Sequence, residues 1–134
     1  MRIFKTKWFA QFARQEKVED SSLREAIARA KRGLIDADLG GGLIKLRVAR
    51  KGKGRSGGYR MIVAYRVRDL AVFFYGFAKS ELENIAPRQL LAAREIAAEW
   101  LAANAERLAR AVSTNELEEI TDEETSKPAN GSPS

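Results

Sequence analysis

The sequence predicts an α+β domain: a small, mostly antiparallel sheet in β-α-α-β-β-β-α order, with helices packed on one face. Three observations carry that prediction. Apolar residues recur at helical spacing in the first third of the chain, take a period of two over residues 44–48 and again over 59–67, and return to helical spacing in an alanine-rich stretch near the end. The 134 residues suit one domain and leave little room for a second. With 45% hydrophobic and 31% charged residues, the chain can bury a core and still carry a heavily charged surface.

The elements follow in order. Arg2-Ile3-Phe4-Lys5 alternates polar and apolar residues as a short strand does. Trp8, Phe9, Phe12 and Ala13 then share one face of a short amphipathic helix, which makes them candidate core residues. Ser22-Leu23-Arg24-Glu25 has capping-box spacing, so a second helix is expected to begin at Ser22. Its buried stripe is Leu23, Ala26, Ile27 and Ala30, and Gly33 is placed to end it in the left-handed conformation.

Gly40-Gly41-Gly42 breaks the chain, after which the period changes to two. Ile44, Leu46 and Val48 line one side of a strand, and Lys45 and Arg47 the other. Tyr59, Met61, Val63, Tyr65 and Val67 likewise alternate against Arg60, Ile62, Ala64 and Arg66, which reads as one core face and one partly cationic face. Leu70 to Phe77 is nearly all apolar, as in a strand covered on both sides, and Arg68-Asp69 joins it to the preceding strand as a tight antiparallel hairpin. From Arg88 to Val112, Ala93, Ala97, Trp100, Leu101 and Leu108 recur at helical intervals, predicting one long helix. The domain is thus expected to span residues 1–112. Residues 113–134, acidic and without aromatic side chains, are expected to form a disordered tail.

Composition also restricts the chemistry. The chain has no cysteine and no histidine, so disulfides, thiolate or imidazole metal sites, histidine-dependent nucleophiles and two-histidine ribonucleases are excluded. Catalysis must use Lys, Arg, Tyr, Asp or Glu. The longest apolar run, Leu70 to Ala78, is too short to span a membrane, and Arg2, Lys5 and Lys7 interrupt any signal-peptide core. A cytoplasmic protein is expected.

The net charge of +6 understates the basic character of the domain. Residues 1–110 hold 23 Lys and Arg against 12 Asp and Glu, whereas residues 111–134 hold one Lys against six acids. The densest part, Leu43 to Arg68, contains Lys45, Arg47, Arg50, Lys51, Lys53, Arg55, Arg60, Arg66 and Arg68 and no acid. A polyanion is the partner such a surface fits. Within it, Ala49 to Arg60 reads as a flexible cationic loop feeding a strand, because Gly52, Gly54, Gly57 and Gly58 let the backbone turn and approach a ligand. It is not a Walker loop, which requires Gly-x-x-x-x-Gly-Lys followed by Ser or Thr and a helix.

The run Arg55-Ser56-Gly57-Gly58-Tyr59-Arg60-Met61-Ile62-Val63-Ala64-Tyr65, preceded by lysines and followed by an apolar strand, resembles the RelE/HigB family of bacterial toxin–antitoxin toxins. The resemblance extends in element order from about Met1 to Trp100, and its specific part is the Gly-Tyr-Arg strand. It implies a microbial ribonuclease fold and an endoribonuclease that cuts messenger RNA on the ribosome, uses no metal or other cofactor, and is neutralised by a cognate antitoxin. Such a site must take a proton from the ribose 2′-hydroxyl, stabilise a pentavalent phosphorane and protonate the leaving 5′-oxygen.

Carried over residue by residue, Lys53, with Lys51 as alternate, matches the basic pair ahead of the Gly-Tyr-Arg strand. A lysine whose charged form is disfavoured by neighbouring cations can serve as the base. Arg60 matches the strand arginine, and its planar fork can hold two phosphate oxygens as charge develops on them. Lys45, Arg47, Arg50, Arg55 and Arg66 are the expected RNA-binding residues. Where relatives place an arginine and then a tyrosine, this chain reads Lys79-Ser80 and Ala86, so Lys79 is a candidate general acid, with Tyr65 and Tyr75 as alternatives.

Blander readings stand beside these. Lys51 and Lys53 can be solubilising loop charges, and Arg60 and Arg66 can bridge to acids across strands, although the scarcity of nearby acids favours an external anion. Two other functions remain open: a ParE-like toxin that shares the fold, binds DNA gyrase and lacks a nuclease site, and a non-catalytic basic RNA-binding module.

Overall fold

A computed structural model describes residues 1–50, 54–78 and 86–121. Ten elements follow one another: β1 (Arg2–Thr6), α1 (Lys7–Glu16), α2 (Asp20–Lys31), β2 (Ala37–Gly40), β3 (Leu43–Arg50), β4 (Gly54–Arg66), β5 (Leu70–Ala78), α3 (Pro87–Ala102), α4 (Ala105–Ser113) and β6 (Leu117–Ile120). The strands form one sheet in the order β2-β3-β4-β5-β1-β6. Only β1 and β5 pair in parallel; the other neighbours are antiparallel, so the expected α+β class and mostly antiparallel sheet are observed.

The helices cover both faces of the sheet instead of one. On the first face, α1 and α2 bury Phe9, Ala13, Leu23 and Ile27 against Leu46, Val48, Met61, Val63 and Phe73. On the second, α3 and α4 bury Ala93, Ala97, Leu108 and Ala111 against Phe4, Leu43, Ile62, Ala64, Val72 and Phe77. The second core is built from positions that alternate with cations, Leu43 beside Lys45 and Ile62 beside Arg60, so its apolar signal is diluted in the sequence. Among the described residues, no helix is long and apolar enough to cross a membrane.

Several boundaries move for local reasons. The α1 helix starts where Thr6 Oγ1 accepts the Phe9 N–H at 3.0 Å. Helix α2 starts at Asp20, two residues before the Ser22 capping box, with Asp20 supplying negative charge to its first turn and Lys5 Nζ 2.9 Å from that carboxylate. It ends as expected at Gly33, which adopts φ +85° while the Leu34 N–H reaches the Arg29 carbonyl at 3.0 Å. The single long helix expected from 88 to 112 is two helices. Ala103 is extended, and the Asn104 side chain caps α4 by accepting the Arg107 N–H at 2.8 Å. β4 begins at Gly54, inside the segment expected to be a loop.

The tail expected from residue 113 also starts too early. Leu117–Ile120 add the outermost strand to β1, with Leu117 buried on the α4 face and Ile120 on the α2 face. Across the β4–β5 hairpin, Ile62 pairs with Tyr75 and Val63 with Phe73, so Phe74 forms a bulge that turns both Phe74 and Tyr75 toward the second core.

Candidate active site

Strand alternation gathers the predicted cations on one stretch of the sheet. Lys45 and Arg47 are two residues apart on β3, and Arg47 lies directly opposite Arg60 on β4. Like charges at directly opposed positions repel. The carboxylate that relieves this repulsion comes from Asp36, immediately before β2. Its backbone N–H is fixed by the Lys45 carbonyl at 2.8 Å. Its side chain then stands 2.8 Å from Arg47 Nε, 3.6 Å from Arg60 Nε and 3.7 Å from Lys45 Nζ.

One carboxylate among three cations leaves a local excess of positive charge. Arg60 is the enclosed member, 7% exposed and, among the described residues, the one charged residue that is buried. Its Nη1 is buried with no hydrogen-bond partner among the described residues. A buried unpaired donor costs about 1–3 kcal/mol, so Nη1 is a donor in need of an acceptor. Arg47 is the member open to solvent, with its side chain 48% exposed. Arg47 and Asp36 line a cleft of about 370 Å³ with Arg29, Leu34 and Ile35. Beyond the reach of β2, the β3 edge is covered by Arg29, whose Nη2 donates to the Arg47 carbonyl at 2.6 Å.

The other predicted residues divide clearly. Lys51, Lys53 and Lys79 lie outside the described residues, as do the side chains of Arg50 and Arg55, whose backbones belong to β3 and β4. Arg66 does not join the cluster. It sits six residues further along β4, where it pairs with Asp69 at 2.7 Å and donates to the Leu101 carbonyl. The expectation that few acids stand near Arg60 and Arg66 is therefore corrected twice, by Asp36 and by Asp69. The Arg66 guanidinium in turn holds the Asp69 carboxyl below its usual range.

Of the two tyrosines considered as acids, Tyr65 packs against the first core, on the face opposite Arg60. Its hydroxyl is buried without a partner among the described residues, and desolvation pushes its pKa up. Tyr75 shares the face of Arg60 and meets Trp8 edge-on at 5.4 Å. Trp8, expected in the core, is 61% exposed. Asp36 is the site residue missed in the sequence. The alternation of Ile35, Asp36, Ala37, Asp38 and Leu39 before the glycines was the available signal for an edge strand, but five residues are too few to weigh against the adjacent breaker.

A family model described as RelE toxin of the RelE / RelB toxin-antitoxin system matches residues 1–120, and the chain belongs to that family. It is a toxin of a toxin–antitoxin system, and a cognate antitoxin is its partner. No curated protein matches the chain.

Proposed function

We propose that this RelE-family toxin is a ribosome-dependent messenger RNA endoribonuclease that cleaves by attack of a ribose 2′-hydroxyl on the adjacent phosphate. The observation that carries the reading is the enclosed Arg60 guanidinium, with an Nη1 that is unpaired among the described residues, inside a described cluster of three cations and one carboxylate. A phosphodiester supplies what that cluster lacks, an acceptor with two free oxygens and a charge that grows in the transition state.

In the reaction, the 2′-oxygen bonds to phosphorus and the bond from phosphorus to the 5′-oxygen breaks. The upstream fragment then ends in a 2′,3′-cyclic phosphate and the downstream fragment in a 5′-hydroxyl. Arg60 holds the non-bridging oxygens of the phosphorane, and Arg47 and Lys45 bind the flanking backbone. The proton leaving the 2′-hydroxyl goes to Lys53, with Lys51 as alternate, and Lys79 delivers one to the 5′-oxygen. These proton-transfer assignments rest on the family resemblance. Because the nucleophile belongs to the substrate, the step needs no metal-activated water. The reaction is cytoplasmic, where translating ribosomes are found.

The test is primer extension across a reporter messenger RNA in a reconstituted bacterial translation reaction, with parallel reactions lacking ribosomes. Wild type is expected to cut only when ribosomes are present. Arg60→Ala should slow cleavage by about 10²–10³-fold, the usual cost of removing a transition-state donor. Lys53→Ala should also lose cleavage. Intact messenger RNA with folded, antitoxin-free wild type would overturn the reading and direct attention to gyrase inhibition or non-catalytic RNA binding.

A further inference from the structure

We propose that Asp36 is a positioning residue, a built-in anion that fixes the spacing of the Arg47 and Arg60 guanidiniums before RNA arrives. The proposal deepens the nuclease reading and rests on it, because it assigns a role around the phosphate held by Arg60.

Arg47 and Arg60 are directly opposed across β3 and β4, where side chains stand about 5 Å apart at their roots and like charges push one another aside. Without a counterion, the two forks would splay away from each other. Asp36 prevents this from a rigid place: its N–H is tied to the Lys45 carbonyl, and its side chain is 12% exposed. Its contacts to both arginines run through Nε, at 2.8 Å for Arg47 and 3.6 Å for Arg60. The carboxylate therefore orients each fork by its inner edge and leaves Arg60 Nη1 without a partner among the described residues.

Asp36 has two opposing effects on RNA. It lowers the local positive charge, which weakens ground-state attraction to the backbone, and it orders the donors needed in the transition state. Neutralising it in Asp36→Asn should separate the two effects. Affinity for RNA should rise several-fold at low salt, with the log–log salt slope steepening by up to about 0.7, the increment for one further phosphate contact on a single strand. Cleavage of bound RNA should slow by roughly 10²-fold, the scale expected when donors are misplaced by about 1 Å. A residue that merely supports folding would lower both quantities together.

The experiment compares wild type, Asp36→Asn and Asp36→Glu. It measures binding to a 2′-O-methyl RNA oligonucleotide, which cannot be cut by this route, single-turnover cleavage of ribosome-bound messenger RNA, and the NMR signal of the Arg60 Nε–H. Tighter binding by Asp36→Asn, slower cleavage and a faster-exchanging Nε–H would support the role. Asp36→Glu keeps the charge but displaces it, so it should retain wild-type affinity and salt slope while losing rate. Unchanged affinity and rate in a folded Asp36→Asn, or losses of both in proportion to the unfolded fraction, would overturn the proposal. If wild type does not cleave at all, the nuclease reading falls. The oligonucleotide and NMR measurements still decide separately whether Asp36 restrains Arg60 and offsets its charge.

Discussion

Ending the chain after Asn115 instead of after Thr121 is expected to remove about 3–6 kcal/mol of folding stability. The figure comes from two side chains, Leu117 at 1% and Ile120 at 5% exposure, which β6 inserts into the cores on opposite faces of the sheet. Each contributes about 1.5–3 kcal/mol by its burial. The Arg2–Glu119 pair between β1 and β6 is largely solvated and adds little, because exposed pairs contribute at most about 1 kcal/mol. Loss of β6 also bares the outer edge of β1, whose backbone then has no strand to pair with on that side. Against a total of about 5–15 kcal/mol, the shorter chain should be marginal or unfolded, and the longer one should resemble the full protein. Urea titrations of the two truncations, with Leu117→Ala in the full chain expected to cost about 2–5 kcal/mol, measure this directly. Equal midpoints and slopes for the two truncations would refute the claim that the domain extends through Ile120.

Gly76→Ala should cost about 1–3 kcal/mol, because a Cβ there would stand 2.2 Å from the Phe12 ring, which Phe9 and Tyr59 hold in place. Combining it with Phe12→Ala should cost much less than the sum of the two single changes, a coupling that a double-mutant cycle measures. Tyr65 titrates late because its hydroxyl is desolvated in the fold, whereas the unfolded chain ionises near pH 10. Its contribution is therefore complete below about pH 10 and is lost as pH rises through the higher folded value. Tyr65→Phe should flatten that alkaline decline and remove a late-titrating component from the phenolate absorbance.

Much of the fold was legible because its strongest signals are periodic. Ile44, Leu46 and Val48 against Lys45 and Arg47 could only be a half-apolar strand, and the apolar run of β5 correctly implied cover on both sides. What escaped was short or depended on distant pairing. β2 and β6 have four residues each, and each is a strand because β3 or β1 offers it an edge. The break between α3 and α4 turns on one asparagine cap within an alanine-rich stretch. Trp8 has the helical spacing of a core residue, yet it is 61% exposed and meets Tyr75 edge-on.

The site was legible to the same degree. The cations at 45, 47 and 60 were visible as a group because β3 and β4 carry them in matching alternation. Their counterion was not visible, because Asp36 lies outside both strands and reaches them only through the pairing that β2 begins. Arg66 looked equivalent to Arg60 on the same strand face, but six residues of separation place it at the hairpin, beside Asp69.

The chemistry of the cut ends tests the central claim most directly. Fragments made by wild type on ribosome-bound messenger RNA should carry a 2′,3′-cyclic phosphate upstream and a 5′-hydroxyl downstream. Both should disappear together in Arg60→Ala and in Arg60→Lys, which retains the charge without the fork. Fragments ending in a 5′-phosphate, or undiminished cleavage by both Arg60 variants, would contradict the account.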